Sequence, residues 1–173
     1  MTRTLGILSL AAVLGACGPS SADIAKNLQS PNPVVREDTA KIARNYGSSS
    51  VNKSLIAALA DPSAVVRKNA VDSLAELSAT EAAQPLADLL PKETDPDVQK
   101  EIIDALGRLK EKVGAPPLIA LLEAHMDAPP LNAIWALGYI GDNRALDVLT
   151  KLRDSKDPYV AYNATASLRL IHP

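Results

Sequence analysis

The sequence predicts an all-α fold, an α-solenoid of about five stacked helical hairpins, on three observations. First, five blocks begin at Val35, Val66, Val98, Pro129 and Val160, at intervals of 31, 32, 31 and 31 residues. Second, the inward places of each block are the first, fifth, eighth, ninth and twelfth, and this spacing traces one face of an α-helix. In the third block they are Val98, Ile102, Ala105, Leu106 and Leu109, and in the fifth Val160, Ala164, Ser167, Leu168 and Ile171. Third, the 173-residue chain is 47% hydrophobic but only 3% aromatic, with no Phe. Ala, Leu, Val and Ile make small, regular helix contacts rather than an aromatic sheet core.

The chain opens with "MTRT", carrying Arg3, and then an apolar run from Leu5 to about Leu14. Ten or so apolar residues are too few to cross a bilayer, which needs roughly 20; the pattern is that of an export signal. The run ends at Cys17, the only cysteine, and the polar stretch "GPSSAD" follows it. "ADIAKNLQ", residues 22–29, reads as a second-type helix without its partner. Each first-type helix then has a start signal three residues before its first inward place: Asn32, Ser63, Asp95 and Asp157 as N-caps, with Pro33, Pro96 and Pro158 in the first turn, where a missing N–H costs nothing. The fourth block has Met126 at that place, so its entry is poorly marked. Between the blocks, second-type helices are marked by the pairs Leu55/Leu59, Leu86/Leu90, Leu118/Leu122 and Val148/Leu152. Pro85, Pro116 and Pro117 fit their first turns, Gly141 and Asp142 make a turn before the last, and a first-type helix closes the array at about Ile171.

Two resemblances follow. "LGAC", Leu14 to Cys17, is similar to the lipobox of bacterial lipoproteins: an aliphatic residue, two small ones, then Cys. The resemblance implies a signal peptide over 1–16 that is cleaved, a lipidated Cys17 with a short tether to residue 22, and a solenoid over 23–173. It also implies a bacterial cell-envelope location, at the outer membrane facing the periplasm if the host has two membranes, because Gly18 rather than Asp follows the cysteine. The repeat itself, best seen in Ala136 to Leu168 and in "DPSAVVRKNAVDSLAEL", resembles the HEAT repeat of the short bacterial type also found in phycobilisome lyases. In that family the arginine at the second place, here Arg36 and Arg67, bonds an acid of a neighbouring unit, such as Asp61. Asn69, Asn132 and Asn163, at the fourth place, are expected to hydrogen-bond at the surface or between repeats.

Several functions are disfavoured. The net charge of −2 leaves no basic excess for nucleic acid. One cysteine excludes an internal disulfide and a Cys-based zinc site. The only histidines, His125 and His172, lie in no pattern that would orient a nucleophile or a metal, and the chain lacks the His-Glu dipeptides by which HEAT-type hydroxylases bind iron. Gly47, Gly107, Gly114, Gly138 and Gly141 are scattered, at expected helix ends and turns, and form no phosphate loop. No cofactor, no metal and no catalysis are therefore expected.

The outer places of the blocks, the third, seventh and eleventh, carry the one functional contrast. They are polar in the first three blocks: Glu37, Lys41 and Asn45; Lys68, Asp72 and Glu76; Lys100, Asp104 and Arg108. In the fourth they become Leu131, Trp135 and Tyr139, and in the fifth Tyr162, Ala166 and Leu170. Exposed apolar patches mark partner sites, and Trp and Tyr are favoured anchors. Leu131, Trp135, Tyr139 and Tyr162 are thus either a docking patch for a partner protein or a cap that closes the solenoid end. The second-type helices offer only Lys53, Gln84, Asp88, Asp147, Thr150 and Lys151 outward, mixed in sign. The expected function is a membrane-anchored protein-binding scaffold or adaptor for another envelope protein. The alternative is a lyase-like HEAT enzyme or enzyme subunit.

Overall fold

The computed structural model describes residues 18–172. The expected signal segment and Cys17 lie outside the described residues.

Among the described residues ten α-helices follow one another: α1 (Ser21–Asn27), α2 (Pro33–Ile42), α3 (Ser49–Ala58), α4 (Ala64–Glu76), α5 (Ala83–Leu89), α6 (Pro96–Leu109), α7 (Ala115–Ala124), α8 (Leu131–Ile140), α9 (Leu146–Arg153) and α10 (Pro158–Ile171). The even-numbered helices pack on one another in chain order to form one layer, and each odd-numbered helix packs on the even-numbered helix that follows it. This two-layer array is the predicted α-solenoid. Among the described residues there is no strand, and no helix is long and apolar enough to cross a membrane.

The inward places line the core as the spacing requires. Val98, Ile102, Ala105, Leu106 and Leu109 are all buried, as are the second-layer pairs Leu55/Leu59, Leu86/Leu90, Leu118/Leu122 and Val148/Leu152. The sixth place of the first four blocks, Ala40, Val71, Ile103 and Ile134, is buried as well. The caps also form. Asn32 accepts from the Val34 N–H, Asp95 from those of Asp97 and Val98, and Asp157 from those of Tyr159 and Val160. Ser63 holds the N-cap position without a capping bond, because its hydroxyl donates instead to Glu37 at 2.9 Å.

Three boundaries differ from expectation. Helix α1 begins at Ser21, where the Ser20–Asp23 capping box pins its start, one residue before the expected start at residue 22. Helix α8 begins at Leu131, well after the start that Met126 would mark. Pro129 pushes its predecessor toward extended backbone, and Pro130 lacks an N–H, so the tandem delays the helix. Gly107 and Gly138 lie within α6 and α8 rather than at helix ends. They are packing residues: a Cβ at Gly138 would come within 2.9 Å of the Ser167 Cα on α10.

Successive repeats are joined at two levels. Inside the layer, Ser73 donates to the Ala40 carbonyl and Ser167 to that of Ile134. At the inter-repeat loops, Arg36 makes a bidentate pair with Asp61 (2.6 and 3.0 Å) and donates back to the Ser30 carbonyl. Arg67 repeats the device with Glu93 (2.7 and 2.8 Å) and the Asp61 carbonyl. Each arginine thus ties two consecutive loops together. At the third loop Gln99 keeps only the backward bond, to the Glu93 carbonyl.

Candidate functional site: the groove between α6 and α8

The outer places of the first three repeats are bridged by charge. Arg44, at the tenth place just past the end of α2, pairs with the outer Asp72 of α4 at 2.8 Å, and Arg108 pairs with Glu76 at 2.5 Å across α4 and α6. Between α6 and α8 no ion pair crosses the seam among the described residues; its outer bridge is Asn132, whose amide donates to Asp104 at 2.9 Å. On either side of Asn132 the seam opens. One depression of about 550 Å³ is walled by Trp135, Tyr139, Arg108 and Lys110 over a floor of Gly107 and Ala136. The other, about 480 Å³, runs past Gln99, Lys100, Ile103, His125 and Pro130. Both lie along α6 and share Asn132, which stands between them, so together they make a groove along the α6–α8 seam that is interrupted at Asn132.

The sequence explains why the groove is here. Helix α8 has ten residues against fourteen in α6, so opposite the first turn of α6 stand His125, Ala128 and Pro130 of the connecting segment rather than a helix. Gly107 and Ala136 let the backbones approach, so the floor is made of small groups and the walls of large ones. Trp135 and Tyr139, one turn apart, stack with ring centroids 6.0 Å apart and 26° between planes, and Trp135 is consequently half-buried. The Lys110 ammonium lies 6.0 Å from the Tyr139 ring centroid, at the edge of cation–π range.

Of the four residues expected as a patch, Trp135 and Tyr139 line the groove. Tyr139 is 52% exposed and lines the groove together with Trp135. Leu131, 39% exposed, is outside its lining, and Tyr162, 71% exposed, edges a separate shallow depression on α10 with Thr165 and Arg169. Sequence reasoning missed the α6 wall, Gly107 and Lys110 above all. The only trace of it in the sequence was a glycine inside an otherwise regular helical block.

Other candidates hold less. His125 and His172 are exposed, and the His125 Nδ1 bonds the Leu121 carbonyl. No group of His, Cys, Asp and Glu capable of holding a metal occurs among the described residues. The Arg67 guanidinium holds the Glu93 carboxyl at about 2, well below its ordinary range, but that pair is part of the loop clamp. Arg144 does the same to Asp142 at the turn before α9. On the second layer, Gln84 pairs with Asp88 and Lys151 with Asp147, so its polar groups partly satisfy one another.

Comparison with known proteins agrees with the architecture. The profile for HEAT repeats matches residues 21–100 and 88–169. The chain is similar to a chain in the complex of CpcE and CpcF of phycocyanin lyase from Nostoc sp. PCC7120, with 24% identity and a TM-score of 0.77, over 92% of this chain and 68% of that one. It is similar to an engineered protein with 25% identity and a TM-score of 0.66, over 87% and 78% of the two chains. It is also similar to a designed armadillo repeat protein in complex with the peptide (KR)4, with 22% identity and a TM-score of 0.65, over 87% and 81%. No curated protein matches it in sequence.

Proposed function

The chain belongs to the family of HEAT-repeat proteins, and on that premise we propose that it is a non-catalytic scaffold, anchored to a membrane of the bacterial envelope through lipidated Cys17, that docks another envelope protein in the groove between α6 and α8. One observation carries the docking reading: charge bridges close the outer seams of the first repeats, whereas the α6–α8 seam is open and walled by a stacked Trp135–Tyr139 pair. An aromatic pair left half in water is the usual make-up of an interface anchor. Solenoids generally present such surfaces to partners. The anchor reading rests on the "LGAC" sequence and the apolar run before it.

The test uses the chain in its own membrane, with a photo-crosslinking residue at position 139 or at position 45, the equivalent outer place of the first repeat. The docking reading requires a discrete crosslinked partner from position 139 and none from position 45. Equal crosslinking from both would reject it. Labelling with radioactive palmitate, lost in Cys17→Ser, tests the anchor separately. A second reading, a lyase-like enzyme subunit, is favoured by the similarity to the phycocyanin lyase complex; it requires phycocyanin lyase activity from the purified chain, alone or with its crosslinked partner.

A further inference from the structure

We propose that the partner segment held between α6 and α8 is acidic and apolar: carboxylates at its two ends and one bulky apolar side chain between them. This chemistry rests on the docking reading above and deepens it. Lys100 lines the depression on one side of Asn132 and Lys110 the depression on the other. Both are exposed, and neither pairs with a carboxylate among the described residues. The other cation of the wall, Arg108, is already engaged by Asp72 and Glu76. The groove's own acid, Asp104, lies at its middle and is turned to Asn132. Each depression therefore carries one unpaired lysine, and the carboxylate between them is engaged by Asn132.

Between the lysines the floor is Gly107 and Ala136, and the wall is the Trp135–Tyr139 stack. A floor of small groups beside this aromatic wall fits one bulky apolar side chain. Lys100 stands on α6 and Lys110 one residue past its end, so about 15 Å of helical rise separates their backbones. An extended chain covers that distance in about five residues and a helix in about ten. His125 lies at the Lys100 end with its Nδ1 committed to the Leu121 carbonyl. A basic segment would meet like charge at both ends.

The experiment uses two acetylated peptides with the same central phenylalanine, flanked at that spacing by aspartates in one and by lysines in the other. Each is titrated into the whole chain in detergent, and the emission of Trp135, the sole tryptophan, is followed alongside calorimetry. The acidic peptide should bind at least tenfold more tightly than the basic one and lose tenfold or more when its phenylalanine is replaced by serine. In the double variant Lys100→Glu, Lys110→Glu the order of the two peptides should invert. Both sites are exposed, so an unchanged melting curve accompanies the swap. No binding of the acidic peptide, equal affinity for both, or an order that survives the swap overturns the stated chemistry. Position 139 separates the two failures: if it still crosslinks a partner, docking stands and only the acidic–apolar assignment falls.

Discussion

Gly107 and Ala136 touch backbone to backbone: a Cβ on Gly107 would lie 2.9 Å from the Ala136 Cα and 3.0 Å from its Cβ. The contact brings α6 and α8 together and makes the floor of the groove.

A methyl group at Gly107 therefore has nowhere to go. Alanine is intrinsically better than glycine within a helix by roughly 1 kcal/mol, but overpacking against a fixed backbone costs about 1–3 kcal/mol. Gly107→Ala should thus destabilise the chain by a net of about 1 kcal/mol. Glycine-to-alanine at exposed Gly18, whose Cβ would meet only the Tyr46 hydroxyl at 3.4 Å, should be nearly neutral. Chemical denaturation of both variants checks the contrast, and a stabilised Gly107→Ala would show that the helices are not in contact there.

The Arg67–Glu93 clamp sets an acid limit. Glu93 is held at about 2 against an ordinary 4.5, by the Arg67 guanidinium first and by the N–H groups of Thr94 and Asp95. Its folded-state value is depressed, so its contribution is complete above pH 4.5 and is lost as pH falls from there toward 2. Arg67→Ala should cost about 3 kcal/mol at pH 7, because it leaves a carboxylate only 3% exposed without its partner. The variant should also lose less stability than the wild type on going from pH 5 to pH 3. Urea melts at several pH values check both effects.

Glu101 works in the opposite sense. It stands at the fourth place, where Asn69 and Asn132 donate to the carbonyls of Glu37 and Lys100. A carboxylate cannot donate. Burial raises the Glu101 carboxyl, and the charges of Asp72 and Asp104 add to that against Lys68 and Arg108. A raised acid binds its proton more tightly in the folded state, so the fold loses stability as pH rises through the window above 4.5. Glu101→Gln keeps the shape, removes the charge and supplies a donor. It should stabilise the chain by about 1 kcal/mol at pH 7 and by much less at pH 4. A neutral or destabilising result at pH 7 would contradict this account of the α4–α6 seam.

The helical phase was legible because every core face repeats at the same five places, so the burial of Leu106 and Ile102 follows from spacing alone. The loop clamp was partly legible. Arg36 and Asp61 pair as the repeat implies, but Arg67 takes Glu93 and uses Asp61 only through its carbonyl. The groove was legible on one wall only. Trp135 and Tyr139 stand out against polar equivalents in the same register, but Lys110 and Gly107 reach them across some thirty residues of sequence. No periodicity within one helix reports what faces it from the next. The late start of α8 was hidden for a local reason: two prolines in tandem fit both the first turn of a helix and the loop before it.

The most direct test of docking at the α6–α8 groove compares two quantities for Trp135→Ala: affinity for the partner captured through position 139, and stability of the free chain. The ring is half-buried against Tyr139, so truncation should cost about 1 kcal/mol in folding, well below the 3–5 kcal/mol expected of a core tryptophan. As an interface anchor it should cost about 2 kcal/mol or more in binding, roughly 30-fold in Kd. Unchanged affinity, or a loss of 3–5 kcal/mol in folding with the binding of the folded fraction intact, would contradict the docking groove and assign Trp135 to the closure of the solenoid end.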